Sequence, residues 1–228
     1  MKKRSNICLR IKNFFEEVSL SLVLLIFIFV VCMLCLYAVA DMVFEDNNPS
    51  FDRHVFTSIL PYINAANTGM MQVITFFGSA QFLVPANILL ILFVLFIKKQ
   101  QYDALKISAI TIIGTAVLFL LKFLLQRQRP LLPLIAKAHG YSFPSGHSFS
   151  SIVFYGMLAY IGYKNIKNNF IKWSLIVLLF MLAGMVGFSR IYLKLHYASD
   201  VIAGFSLGII WLLLAKWILF GKVKIPAE

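Results

Sequence analysis

Two histidines in this chain have neighbours suited to chemistry. In "SRIYLKLHYASD", His196 stands four residues before Asp200, so a helical turn brings imidazole and carboxylate to one face. His147 ends "PSGH", where Pro144 suits a helix entry and Ser145 and Gly146 leave the first N–H groups of a helix bare. Such an N-terminus is an anion site, and phosphate fits it. A plain helix cap with a satisfied histidine accounts for the tetrapeptide equally well when it is taken alone. In "KFLLQRQRP", Lys122 and Arg129 are seven apart, two helical turns along one face, before Pro130 stops the helix. Ser189 and Arg190 open the segment that ends in Asp200.

The elements that must position these groups belong to a membrane. The 228 residues are 61% hydrophobic and only 13% charged, far more apolar than a soluble domain of this length. Apolar stretches at about 18–40, 72–97, 107–126, 145–163, 173–189 and 197–219 predict an all-α polytopic protein with six transmembrane helices. The first stretch has 23 residues without a charge, the length of a retained span, not a cleaved signal peptide. Six spans put both termini on one side. The connections on that side hold 14 of the 21 basic residues, which predicts cytoplasmic termini. The layout is one membrane domain at 18–219, with a basic cytoplasmic segment at 1–17 and a cytoplasmic tail at 220–228. The formal charge of +12 is thus a topology signal, and no soluble basic face suits nucleic acid.

Residues 51–71 are amphipathic, broken by Pro61 and Gly69, and predict a short outer interfacial helix. Pro85 is expected to kink the second span. Cys32 and Cys35 form a C-x-x-C without a further ligand, and with Cys8 they read as plain buried thiols. Asp41, Glu45, Asp46 and Asp52 read as solvated outer acids, and His54 and His139 as interfacial histidines. Of the seven basic residues on the outer face, Arg127, Lys137 and Lys194 are expected to snorkel to headgroups. Lys122, Arg129 and Arg190 are different: a charge inside a membrane costs roughly 2.5–3.5 kcal/mol at a helix centre. They share their depth with PSGH and the His/Asp pair, which points to one site.

K-x(6)-R-P, P-S-G-H and S-R-x(5)-H-x(3)-D occur in this order without a departure. Together they resemble the signature of the type 2 phosphatidic acid phosphatase superfamily. The resemblance implies that His196 attacks phosphorus while Asp200 orients its ring. It implies that His147 protonates the leaving oxygen and then activates water. Lys122, Arg129, Arg190, Ser145 and Gly146 would hold the phosphate, with Pro144 and Ser189 in positioning roles. It implies a metal-independent hydrolase without cofactors and without an obligate protein partner. The substrates would be lipid phosphates or diphosphates such as undecaprenyl diphosphate, phosphatidylglycerophosphate and phosphatidic acid. The site would face the exterior of a bacterial inner or plasma membrane. Lipid A phosphatase is the specific alternative. A vanadium haloperoxidase shares the pocket chemistry, but six spans disfavour that soluble oxidant chemistry. A transporter would need polar groups at the midplane and an inverted repeat, and neither is evident.

Overall fold

A computed structural model describes residues 20–45, 48–136 and 139–220. The basic segment 1–17, the tail at 221–228, Cys8, Asp46 and Lys137 lie outside the described residues. Those described are helical, with no strand among them. The helices are α1 (Leu20–Phe44), α2 (Ser50–Ile59), α3 (Ala65–Phe76), α4 (Ala80–Leu92), α5 (Gln101–Leu125), α6 (Gly146–Asn165), α7 (Asn169–Tyr192) and α8 (Ala198–Phe220). Side chains cap several of them: Asn64, Ser79, Ser145 and Asn168 each accept a hydrogen bond from an N–H in the first turn.

Among the described residues, five stretches are long and apolar enough to cross a membrane: Leu22–Phe44, Ala65–Ile97, Gln101–Leu125, Asn169–Tyr192 and Ala198–Ile218. The expected fourth span is present as α6, a helix of 20 residues, but it is not one of the five. Its place explains its composition. No residue from Gly146 to Gly162 is exposed, so its serines and glycines face other helices, not lipid. α7 and α8 pack along it and α4 and α5 complete the ring, around a core including Leu83, Ile107, Leu118, Phe149, Val153 and Ala183. α1 lies outside this ring, against α8.

The second expected span begins earlier than predicted and is interrupted. Gly69 sits inside α3, and the chain breaks at Phe77–Ser79. At that break Gly78 meets α7 so closely that a Cβ there would lie 2.2 Å from Val186 Cγ1 and 3.3 Å from His147 Cδ2. Tyr155 of α6 donates to the Phe77 carbonyl at 2.8 Å, satisfying a group that the break leaves without a helical partner. The outer segment does contain the expected short helix, α2, followed by a 3-10 turn at Leu60–Tyr62. Cys32 and Cys35 are free thiols; Cys32 is buried as expected, but Cys35 faces outward from α1.

Candidate active site

The three signature segments meet at one end of the bundle. The loop before α8 brings in His196 and the first turn of α8 Asp200, the loop from α5 brings Arg127 and Arg129, the start of α6 brings Ser145 to His147, and the last turn of α7 brings Ser189 and Arg190. Close backbone approach locks α8 to the start of α6. Gly204 leaves no room for a Cβ, which would stand 2.6 Å from the Ser145 carbonyl oxygen. The Ser145 N–H in turn donates to the Asp200 carbonyl at 2.9 Å.

His196 and Asp200 are both fully buried. His196 Nδ1 lies 3.3 Å from Asp200 Oδ2, and Arg129 Nη1 lies 3.1 Å from His196 Nε2. Arginine only donates, so Nε2 must accept and the ring proton resides on Nδ1, pointing at the carboxylate. A lone pair on Nε2 therefore faces the cationic side of the site. Burial pushes the His196 imidazole down to about 4, with Asp200 pulling the other way, so the ring is neutral near pH 7. Asp200 Oδ2 also accepts from Ser142 Oγ at 2.5 Å and from the Tyr197 N–H at 2.9 Å.

Lys122, Arg129 and Arg190 form the cationic side. Lys122 Nζ donates to the carbonyls of Tyr141 and Ser142 at 2.9 and 3.2 Å, which holds the PSGH approach in place. Arg129 donates to the carbonyls of Gly140, Leu195 and His139. Arg190 is 5% exposed; its Nη1 donates to Thr75 Oγ1 at 2.8 Å, while its buried Nε has no acceptor among the described residues. None of the three pairs with a carboxylate among the described residues. A buried donor without an acceptor costs about 1–3 kcal/mol, so an anionic oxygen arriving here removes a standing penalty. His147, half-buried in the first turn of α6, feels the charges of Arg190, Arg129 and Lys122 and lies near His196.

Ser145 Oγ accepts from the N–H and the hydroxyl of Ser148, at 3.4 and 3.0 Å, so it serves as a helix cap. Pro144 is fully buried, Gly146 packs beside Leu118 and Lys122, and Ser189 Oγ donates to the Val186 carbonyl at 2.6 Å. A groove of about 470 Å³ between α4, α5 and α6 ends at Lys122, Gly146 and His147. Its walls are mostly apolar and include Leu83, Val84, Ile88, Leu118, Phe119 and Val153.

Three expectations are corrected here. α5 ends at Leu125, not at Pro130, because Gln126 adopts left-handed φ 48°; Arg129 reaches the site from a loop and shares no helical face with Lys122. Arg127 does not snorkel: its side chain is 16% exposed and pairs with Asp52 and Asp200. Asp52, read as a solvated acid, is 2% exposed. Lys194 remains half-exposed beside an outer cavity, while His54 and His139 are exposed.

The pattern of the PAP2 superfamily matches residues 103–224. Phosphatidylglycerophosphatase B of Bacillus subtilis is 33% identical over 159 residues, covering 68% of this chain and 75% of that protein. An undecaprenyl-diphosphatase of Sulfolobus acidocaldarius is 25% identical, covering 80% of this chain and 82% of the relative. Among solved structures, the transmembrane PAP2 type phosphatidylglycerolphosphate phosphatase of Bacillus subtilis superposes with a TM-score of 0.77 at 26% identity, covering 87% of this chain and 98% of the other. LpxE of Aquifex aeolicus gives 0.55 at 23% identity over 71% of this chain and 92% of the other, a likeness of fold alone.

Proposed function

The chain belongs to the PAP2 superfamily, as an integral membrane phosphatase, and from that premise we propose that it hydrolyses lipid phosphate monoesters or diphosphates through a phosphohistidine on His196. The observation that carries this reading is the apolar groove ending at Lys122, Gly146 and His147. It offers a lipid chain a dry wall and brings its head to Lys122, one of the three cations without carboxylate partners.

In the proposed sequence, His196 Nε2 attacks phosphorus. A P–N bond forms as the P–O bond breaks, and protonated His147 donates to the departing oxygen. Neutral His147 then takes a proton from water, whose oxygen attacks the phosphohistidine; phosphate leaves and His196 Nε2 regains its lone pair. Asp200 holds the Nδ1 proton and stabilises the charge that the ring acquires. Lys122, Arg129, Arg190 and the N–H groups near Gly146 gather the phosphate oxygens as charge shifts in the transition state. No step requires a metal. The site's two buried carboxylates, Asp52 and Asp200, are both engaged by Arg127.

The proposal includes a six-span domain at 18–219 with cytoplasmic termini and the site at the outer interface of a bacterial plasma or inner membrane. Undecaprenyl diphosphate, phosphatidylglycerophosphate and phosphatidic acid are the favoured substrates, with lipid A as the alternative. Purified protein in detergent, given this panel with and without EDTA, should release phosphate from at least one of the first three in both conditions. An absolute need for magnesium, or turnover of soluble phosphate esters alone, would overturn the proposal.

A further inference from the structure

Asp52 lies in the first turn of α2, far in sequence from every signature segment, yet it is wired to the catalytic pair. Its Oδ1 accepts the Ser199 N–H at 2.9 Å, and its Oδ2 accepts Ser199 Oγ at 2.6 Å and Arg127 Nη2 at 2.8 Å. The Ser199 N–H belongs to the first turn of α8, where it has no partner within its own helix, so Asp52 caps α8 from another element and lies at the positive end of its dipole. Arg127 then forks. Its Nη1 donates to Ser199 Oγ at 2.7 Å and to Asp200 Oδ1 at 2.5 Å, while its guanidinium carbon sits 4.2 Å from the Tyr197 ring centroid.

We propose that Asp52 and Arg127 are positioning residues of the reaction, a relay from the outer helix α2 that fixes the rotamer of Asp200 and through it the ring of His196. This inference rests on the phosphatase function proposed above. The geometry carries it. Asp200 Oδ2 serves His196, Ser142 and Tyr197, and its Oδ1 has Arg127 as its charged anchor. Without that anchor the buried carboxylate can rotate about its Cβ–Cγ bond and lose the Nδ1 contact. Arginine bridges the two carboxylates from two separate nitrogens held in one plane, whereas lysine would have to reach both from a single nitrogen without a fixed fork. The relay touches neither the groove nor the three unpaired cations, so it acts on the nucleophile and not on lipid binding.

The test compares Asp52→Asn, Arg127→Gln, the double variant and Arg53→Gln, an exposed neighbour outside the relay. kcat on a short-chain phosphatidic acid should fall on the order of 100-fold in Asp52→Asn and Arg127→Gln. KM should stay within about threefold, because a uniform binding contact is not what is lost. The double variant should lose no more than the worse single, since both act through one chain of contacts. Arg53→Gln should match the wild type. A second readout needs no substrate. The protein has four histidines, so selective 15N-histidine labelling isolates the His196 Nδ1–H resonance, which should move or vanish in both relay variants. Asp52→Asn keeps the shape of the side chain and serves if Arg127→Gln fails to fold. Unchanged kcat, a change confined to KM, or an unmoved resonance overturns the relay. A wild type inert on every lipid phosphate overturns the functional reading instead, and the resonance alone then decides the relay.

Discussion

His196 stands between two regions built from similar residues to opposite ends. On one side, Arg127 is held between Asp52 and Asp200, so the only cation of that cluster already has two carboxylate partners. On the other, Lys122, Arg129 and Arg190 are held by backbone carbonyls and a threonine, which satisfy donors without cancelling charge. A cation bound between two carboxylates offers no positive charge to an anion and makes a rigid support. A cluster fixed in place but left positive has a pending demand for an anion, and it needs no reorganisation when negative charge develops on the phosphate. On the proposed mechanism, the difference separates residues that hold the nucleophile from residues that hold the substrate.

The severest way to break this division is to remove the residue on which both sides converge. His196→Ala should lower kcat on the order of a millionfold, and no phosphoenzyme should form. His147→Ala should cost roughly 10²–10⁴-fold with phosphatidic acid, whose alkoxide needs a proton, and less with a diphosphate, whose leaving phosphate has a pKa of about 6. Radiolabel from a diphosphate should then accumulate on His196 as acid-labile phosphohistidine. Equal losses on both substrates without such label would exchange or cancel the roles of the two histidines.

Next comes the positive side taken alone. Arg190→Gln should lower kcat/KM by about 10²–10³-fold and raise the inhibition constant for inorganic phosphate. Asp52→Asn should leave that constant unchanged. Weakened phosphate inhibition in Asp52→Asn would erase the boundary between the two regions.

The mildest probe is pH. Buried His196 has its imidazole lowered to about 4, against roughly 6.5 in an unfolded chain. In the proposed mechanism the nucleophile is the neutral ring, so the acid limb of kcat/KM should fall near pH 4, with activity retained at about pH 5.5. The same lowering makes the unfolded chain bind the extra proton between these values. This contribution to stability is therefore full above about pH 6.5 and is lost as pH falls through 4. A thermal-melt series should show Tm declining over that window, and a decline beginning only below pH 4 would contradict a neutral buried His196.

The His196/Asp200 pair and the helix entry at the site were legible in the sequence because their signals are local. A four-residue offset pairs His196 with Asp200, and a Pro-Ser-Gly entry announces the N-terminus of α6. The supporting side was not, because its bonds join residues 75 and 147 positions apart, and nothing around Asp52 distinguishes a buried acid from a solvated one. Arg127 was misread for the same reason: without knowledge of a partner, an arginine at a membrane edge looks like a headgroup contact. The end of α5 was misplaced because Pro130 restricts only Arg129, whereas the left-handed Gln126 ends the helix four residues earlier. Hydropathy registers most strongly the helices that touch lipid; α6, ringed by others, carries polar residues without cost to the bilayer and so falls short of the composition of a lipid-facing span.

The groove along α5 can also be regarded as a ruler. Its lining runs from Ser108 to Lys122, which at 1.5 Å per residue is about 21 Å. The hydrocarbon core of a bilayer is about 30 Å. A short, water-soluble chain gains up to roughly 0.8 kcal/mol for each CH₂ it moves from water into the groove, whereas the tail of a membrane lipid exchanges one apolar surround for another. On the proposed function, discrimination by chain length therefore acts among short soluble substrates, and a membrane lipid is identified by its head.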